Sequence, residues 1–285
     1  MEYSIILPTT QQTTTLRDLL ENEWLVPRKV RHFLRVRKFV WINGTSAMFH
    51  QEVHAGDTIT LRLEETDYTY QEVSLGNKSH VIPLYEDEHL IIVNKPAGVK
   101  THPNQPDETE TLLNDVIAYL EPKNQRAYIV HRLDKETSGA ILFAKNPLVL
   151  PILGRLLEQK IIRRRYQAIV AGRLTKDQMI RKSIGRDRHD RRKRVVDERK
   201  GQTAITHVTV HETKQKTTEI FCDLDTGRTH QIRVHLTSIG HPIIGDPLYQ
   251  APKAPRLMLH AYEMVLPHPF TQETIQVTAE PGLWS

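Results

Sequence analysis

Apolar residues recur at helical spacing in some stretches of this chain and alternate with polar ones in others. Within residues 13–63, Leu16, Leu19 and Leu20 predict a short helix, and Val30, Phe33 and Leu34 predict a second. Phe39, Val40, Trp41 and Ile42 form a strand-like run that ends at Asn43-Gly44, a pair suited to a tight turn between strands. Val53, the turn residues Ala55, Gly56 and Asp57, and the run from Ile59 to Leu61 close this small unit. Residues 64–80 are polar and aperiodic and read as a linker.

From residue 81 onward the texture changes. Strand-like segments lie at 89–93, 128–130, 140–144, 166–170, 203–210 and 219–224. In the last of these, Ile220, Cys222 and Leu224 share one face. A helix is predicted over 109–120, with Leu112, Leu113, Val116, Ile117 and Leu120 inward and Asp107 with Glu110 as its capping box. A second helix follows Asn146-Pro147, and a third spans 229–239 before Gly240. Strands outnumber helices and do not alternate with them regularly, which predicts an α+β fold with a mixed, mainly antiparallel sheet. The expected organisation is a small domain over 13–63, a linker over 64–80 and a larger domain over 81–285.

Composition adds little until it is placed along the chain. The 285 residues carry a net charge of +5. Residues 160–200 alone hold +11, however, and every other segment is slightly acidic. The basic residues around 28–38 form a second, smaller cluster. Two such clusters on a nearly neutral chain fit the electrostatic footprint of a polyanion partner, with solvated surface loops as the bland alternative. The single cysteine, Cys222, excludes a disulfide framework and any multi-cysteine zinc site. The longest apolar runs are five residues, far short of the roughly 20 that a membrane helix needs. No basic region followed by a long apolar stretch opens the chain, so the expected location is the cytoplasm.

Three segments carry candidate chemistry. The first is His131-Arg-Leu-Asp-Lys-Glu-Thr-Ser-Gly139, which sets Asp134 in a loop after a strand-like run. Its neighbours His131, Arg132 and Lys135 are basic and favour an ionised carboxylate, which can serve as nucleophile or base. The same loop also reads as an ordinary charged turn. The second, Asp225-Thr-Gly-Arg-Thr-His-Gln-Ile-Arg-Val-His235, sets Arg228 and Arg233 at the start of a helix. A buried arginine there requires a carboxylate, and Asp134 would satisfy Arg233; alternatively both arginines face solvent or RNA phosphates. The third runs Arg163-Arg-Arg-Tyr166, where Tyr166 offers a stacking surface for a base or, alternatively, an ordinary core ring. Phosphate-loop, dinucleotide and esterase motifs are absent, and the fifteen histidines show no zinc-enzyme spacing, so no cofactor or metal is expected.

In order and spacing, these segments resemble the RluA-type family of RNA pseudouridine synthases. The similarity spans residues 81–270. It includes Leu90-Ile-Ile-Val-Asn-Lys-Pro-Ala-Gly98, the segment from His131 to Gly139, the tyrosine segment 164–172, the segment 227–236, and His241-Pro-Ile-Ile-Gly-Asp-Pro-Leu-Tyr249. Residues 13–63 more loosely resemble the small αL RNA-binding domain of the ribosomal protein S-four kind.

The resemblance implies a cofactor-free isomerisation of uridine to pseudouridine within structured RNA. Large-subunit ribosomal RNA is the first expectation and transfer RNA the alternative. It implies Asp134 as the catalytic carboxylate and Tyr166 stacked on the uracil, where it would assist proton removal. Arg233 would pair with Asp134, and Arg132 would fill the space left by the flipped base. Arg228, Arg163, Arg164, Arg191, Arg192 and Arg194, with Arg31, Arg35 and Lys38 in front, are the expected RNA-binding residues. No membrane or obligate protein partner is implied, and a monomer is expected. Two other classes compete: a non-catalytic RNA-binding factor, and a base-releasing hydrolase using Asp134 with Glu136 as paired carboxylates.

Overall fold

A computed structural model describes residues 1–285 except 69, 71, 106 and 283–285. The larger part of the chain is built on a ten-stranded sheet. From one edge its main path runs Gln178–Arg181, Ile205–Thr213, Thr217–Leu224, Arg163–Ala171, Leu259–Pro267, Ser138–Ala144, Leu90–Lys95 and Pro83–Glu86. Every pairing is antiparallel except that between Ser138–Ala144 and Leu259–Pro267. The sheet is therefore mixed and mainly antiparallel, in an α+β fold.

That parallel contact is narrow, and it sits directly behind the 131–137 loop. Gly139 lies opposite Ala261 at φ +111, and a Cβ there would fall 2.3 Å from the Ala261 carbonyl oxygen. Only glycine lets the two backbones approach so closely at that angle.

The continuous apolar runs at 90–93 and 140–144 arise because the sheet is covered on both faces. Leu90, Ile92, Leu142 and Ala144 face one core, together with the helix Val149–Glu158. Ile91, Val93, Ile141 and Phe143 face the other, beneath the helix Leu112–Leu120. That second helix is capped by Thr111 and Asn114, not by Asp107 and Glu110 as the sequence suggests. Asn114 is fixed there because its amide donates to the Ser74 carbonyl at 2.7 Å. Among the described residues, no helix is long and apolar enough to cross a membrane.

The small domain begins earlier than residue 13. The strand Glu2–Ile6 pairs with Thr58–Arg62 across five residues, and Thr58–Arg62 in turn pairs with Val40–Ile42. The basic helix Arg28–Arg37 buries only Leu34 fully and presents its charges outward. This domain does not hang on a tether. Trp24 packs edge-on against Phe270 of the large domain, ring centroids 4.8 Å apart, and Arg155 Nη1 donates to the Leu25 carbonyl at 3.1 Å. Residues of both domains share one core.

Residues 64–80 also differ from a free linker. Two short turns, Glu65–Asp67 and Lys78–His80, interrupt them. Asp67 takes two hydrogen bonds from Arg37, and Tyr70 packs on Tyr128 at 5.4 Å. The Asn77 amide donates to Asp115 at 2.7 Å. Local periodicity cannot reveal such a strap, because its partners lie up to 67 residues away.

Candidate active site

Asp134 stands in the loop between Tyr128–Ile129 and Ser138–Ala144, with its side chain 25% exposed. Buried contacts from the preceding motif hold this loop. The Thr101 hydroxyl donates to the Leu133 carbonyl at 2.9 Å and accepts the Leu133 N–H at 3.2 Å. The Lys95 ammonium is fully buried and donates to the carbonyls of Pro96, Val99 and Lys135, the last at 3.0 Å. Burial pulls the Lys95 pKa down to about 7, while Glu136 and Asp134 favour its charged form. Neither Lys95 nor Thr101 stands out as a site residue in the sequence. The Asn-Lys-Pro-Ala-Gly run is the signal for the lysine, but a run of that kind does not say which carbonyls it will meet.

Arg233 Nη1 donates to Asp134 Oδ2 at 3.2 Å. Its other donors go elsewhere: Nε and Nη2 reach Asp246 at 2.7 and 2.8 Å. The side chains of Arg233 and Asp246 are 2% and 1% exposed, so both charges lie out of water and neutralise each other. Asp246 has no role assigned from sequence, although it falls within the motif 241–249. The helix that carries Arg233 runs Gln231–Ser238, two residues shorter at its start than expected, because His230 takes a left-handed conformation at φ +57.

Tyr166 lies on the strand Arg163–Ala171. The neighbouring strand Leu259–Pro267 bulges beside it: Arg165 pairs with Glu263 and Tyr166 with Ala261, leaving Tyr262 as the extra residue. Bulges of this kind re-aim side chains beside functional sites. Tyr166 is only 5% exposed. Burial pushes its hydroxyl pKa up, with Arg164 opposing, so the phenol is neutral near pH 7. A neutral phenol suits stacking better than it suits taking a proton.

Asp134, Tyr166 and Arg233 line one cavity of about 80 Å³, together with Arg132, Arg164 and Arg228. Arg192 joins Asp134 and Arg132 in an adjacent open groove of about 790 Å³. Arg192 comes from the turn of the hairpin formed by Ile184–Arg186 and Arg194–Val196. Arg163 and Arg191 are exposed and line neither space. Gly227 leaves room for Arg164, whose guanidinium lies 3.5 Å from where a Cβ would stand.

Some expected RNA contacts are already engaged within the protein. Arg31 donates to Glu21 and to the Val26 carbonyl, and Arg192 pairs with Asp190. Arg35 and Lys38 are exposed, and Arg31 and Arg35 line a basic groove on the small domain. Among the described residues, no group of three His, Cys, Asp or Glu side chains is arranged to hold a metal ion.

Comparison with known proteins identifies the family. Residues 89–238 match a family model described as RNA pseudouridylate synthase, and residues 3–59 match one described as the RluD ribosomal pseudouridine synthase N-terminal domain. The chain is 41% identical to the protein named uncharacterized RNA pseudouridine synthase YhcT of Bacillus subtilis, over 84% of this chain and 80% of that one. It is 38% identical to a ribosomal large subunit pseudouridine synthase D of Nitrosomonas europaea, over 84% and 72%. Among solved structures, human RNA pseudouridylate synthase domain containing 1 aligns with a TM-score of 0.60 at 25% identity, covering 74% of this chain and 88% of that one. The fold and the comparisons define an isomerase that acts on RNA. The chain belongs to the RNA pseudouridylate synthase family.

Proposed function

We propose that this chain converts a specific uridine of structured large-subunit ribosomal RNA to pseudouridine, with Asp134 as the catalytic carboxylate. One observation carries the assignment of the site. Asp134, Tyr166 and Arg233 come from segments up to 99 residues apart and converge on a single cavity ringed by arginines. The substrate class is supported by a relative named for the large ribosomal subunit and by the small domain's match to a ribosomal synthase's N-terminal domain.

Chemistry on a stacked base requires extrusion, which leaves both a bare base and a gap. Tyr166 offers the base a neutral aromatic face. Arg132 is exposed at the cavity mouth, makes no ion pair among the described residues, and can occupy the gap. Arg233 holds Asp134 in place through its hydrogen bond to Oδ2. A carboxylate so held can displace the uracil by attacking the ribose carbon that bears it, or withdraw a proton from the neighbouring ribose carbon so that the C–N bond breaks by elimination, and either route releases the uracil for rotation and rejoining through carbon. Arg164, Arg228 and Arg192 fit phosphates along the two openings, and Arg163, Arg191 and Arg194 extend that basic surface. The groove of the small domain, with Arg35 exposed in it and Lys38 beside it, supplies a second grip. All of these groups belong to one chain, which supports a monomeric enzyme, and a ribosomal substrate fits a cytoplasmic one.

The test is pseudouridine mapping across all cellular RNA in cells lacking the gene, complemented with wild type or with Asp134→Asn. The expected result is one site lost from large-subunit ribosomal RNA, restored by wild type and not by the variant. A lost site in transfer RNA would replace the substrate. A variant that restores the site would remove Asp134 from the chemistry.

A further inference from the structure

His230 stands beside Asp134 in a conformation that the chemistry of the carboxylate alone does not require. Its backbone lies at φ +57 and ψ +18, a region disfavoured for residues with a Cβ and found mainly where the surroundings impose it. Its side chain is only 12% exposed. One ring nitrogen, Nδ1, lies 2.9 Å from the Tyr249 hydroxyl, and the other, Nε2, lies 3.7 Å from Asp134 Oδ2. The Tyr249 hydroxyl also accepts the backbone N–H of Arg194 at 2.9 Å. The Tyr249 ring in turn lies beneath the Arg233 guanidinium at 5.1 Å.

The hydrogen-bond inventory selects one tautomer. The Tyr249 oxygen already accepts from Arg194 and has a single proton to give, and Nδ1 is the ring acceptor within reach. Burial lowers the His230 pKa, with Asp134 opposing, so the ring is neutral and its one proton sits on Nε2, facing the carboxylate. The other tautomer would set a nitrogen lone pair against Asp134. Both Arg233 and His230 approach Oδ2, and among the described residues no hydrogen bond reaches Oδ1. Oδ1 is thus the oxygen left for the reaction.

We infer that His230 is a positioning residue for Asp134, set by the Tyr249 hydroxyl, and that the Arg194 amide ties the arginine-bearing hairpin into the same relay. This rests on Asp134 being the catalytic carboxylate. Its added content is a mechanical link. The hairpin that places Arg192 at the groove also fixes the tyrosine that orients the ring facing Asp134 at 3.7 Å. The hairpin's grip on RNA and the aim of the carboxylate are then coupled through three hydrogen-bonding groups.

The test uses the full chain and the RNA identified by mapping. Tyr249→Phe keeps the ring under Arg233 and removes only the hydroxyl. It should lower kcat about tenfold with KM for RNA within about twofold, as expected when positioning rather than binding is impaired. His230→Ala should do the same, and the double variant should be no worse than His230→Ala alone, because both remove one relay. His230→Gln, which can place an N–H near the Nε2 position, should recover most of kcat. An independent readout is ring-nitrogen NMR of the wild type, with His230 assigned by comparison with His230→Gln. It should show the proton on Nε2 and a mixture of tautomers in Tyr249→Phe.

A wild-type proton on Nδ1 overturns the relay. So does full kcat in Tyr249→Phe, or additive losses accompanied by a matching rise in KM. A wild-type chain that forms pseudouridine on no RNA overturns the functional reading and the positioning role together. That outcome is distinct from an active wild type with an indifferent Tyr249→Phe.

Discussion

Asp246 takes two of the three donor positions of Arg233, at 2.7 and 2.8 Å, and leaves Asp134 the third at 3.2 Å. The stronger, drier pair is with the carboxylate outside the cavity. Asp246 therefore fixes the guanidinium plane, and Arg233 presents a set donor to Asp134. A lysine could not serve both carboxylates in this way, because a point charge lacks the planar fork. Asp246→Asn should lower stability by up to about 3–5 kcal/mol, the range for breaking a buried pair at one partner. Its residual kcat should fall at least tenfold with RNA affinity retained. Thermal denaturation and single-turnover assays check both, and an active variant of unchanged stability would show that the Asp246 pairing is dispensable.

The hairpin arginines give a salt-dependence prediction. Arg191 and Arg192 are exposed near the groove, whereas Arg194 turns its guanidinium onto the carbonyls of Arg191 and Lys193. Neutralising Arg191 and Arg192 together should weaken RNA binding. The slope of log affinity against log salt should shrink by about one for each phosphate no longer neutralised. Binding titrations at several salt concentrations measure this. An unchanged slope would place the hairpin away from RNA.

Buried neutral histidines make the fold sensitive to acid. Complete burial, with Arg164 adding to it, drives the His131 pKa down to about 3, and its Nε2 accepts the Leu142 N–H at 3.2 Å. His260 is pushed down to about 4, chiefly by burial. Between these values and about 6.5 the unfolded chain binds protons that the folded chain refuses, so stability falls as pH drops through that window. His131→Gln keeps an acceptor for Leu142 and cannot titrate. It should flatten the stability–pH slope between pH 3 and 6.5 by about 1.4 kcal/mol per pH unit. Denaturant melts at pH 4, 5, 6 and 7 test the sign and size.

The docking of the small domain sets a fixed distance between its basic groove and the cavity. Phe270 is 1% exposed and forms the large-domain side of the Trp24 contact. Phe270→Ala should cost about 3–5 kcal/mol, typical for a large buried aromatic. With Arg155→Ala added, unfolding should separate into two transitions and X-ray scattering should report a larger radius of gyration. A single cooperative transition in the double variant would mean that the rest of the shared core still holds the domains together.

Much of this protein was legible in its sequence, because the relevant signals are local. Alternation and helical spacing located six strands of the large sheet and its helices to within a few residues, and missed Pro83–Glu86, Gln178–Arg181, Leu259–Pro267 and Thr274–Thr278. Turn residues marked Asn43-Gly44. The arginine-rich stretch 160–200 marked the charged side of the site. The requirement that a buried arginine find a carboxylate linked Arg233 to Asp134 across 99 residues.

Relationships whose partners carry no local mark emerge only from the packed chain. Glu21 claims Arg31, Lys95 and Thr101 brace the loop of Asp134, Asp246 claims most of Arg233, and Tyr249 turns His230. The strand Glu2–Ile6 completes a sheet whose other strands lie 34 or more residues downstream. The physical reason is the same in each case. Backbone preference and burial periodicity act over a few residues, whereas a hydrogen bond or ion pair depends on where the whole chain has brought two side chains. The sequence determined which elements form and which residue types reach the cavity. Tertiary packing decided which of those residues are spent on one another and which remain free for RNA.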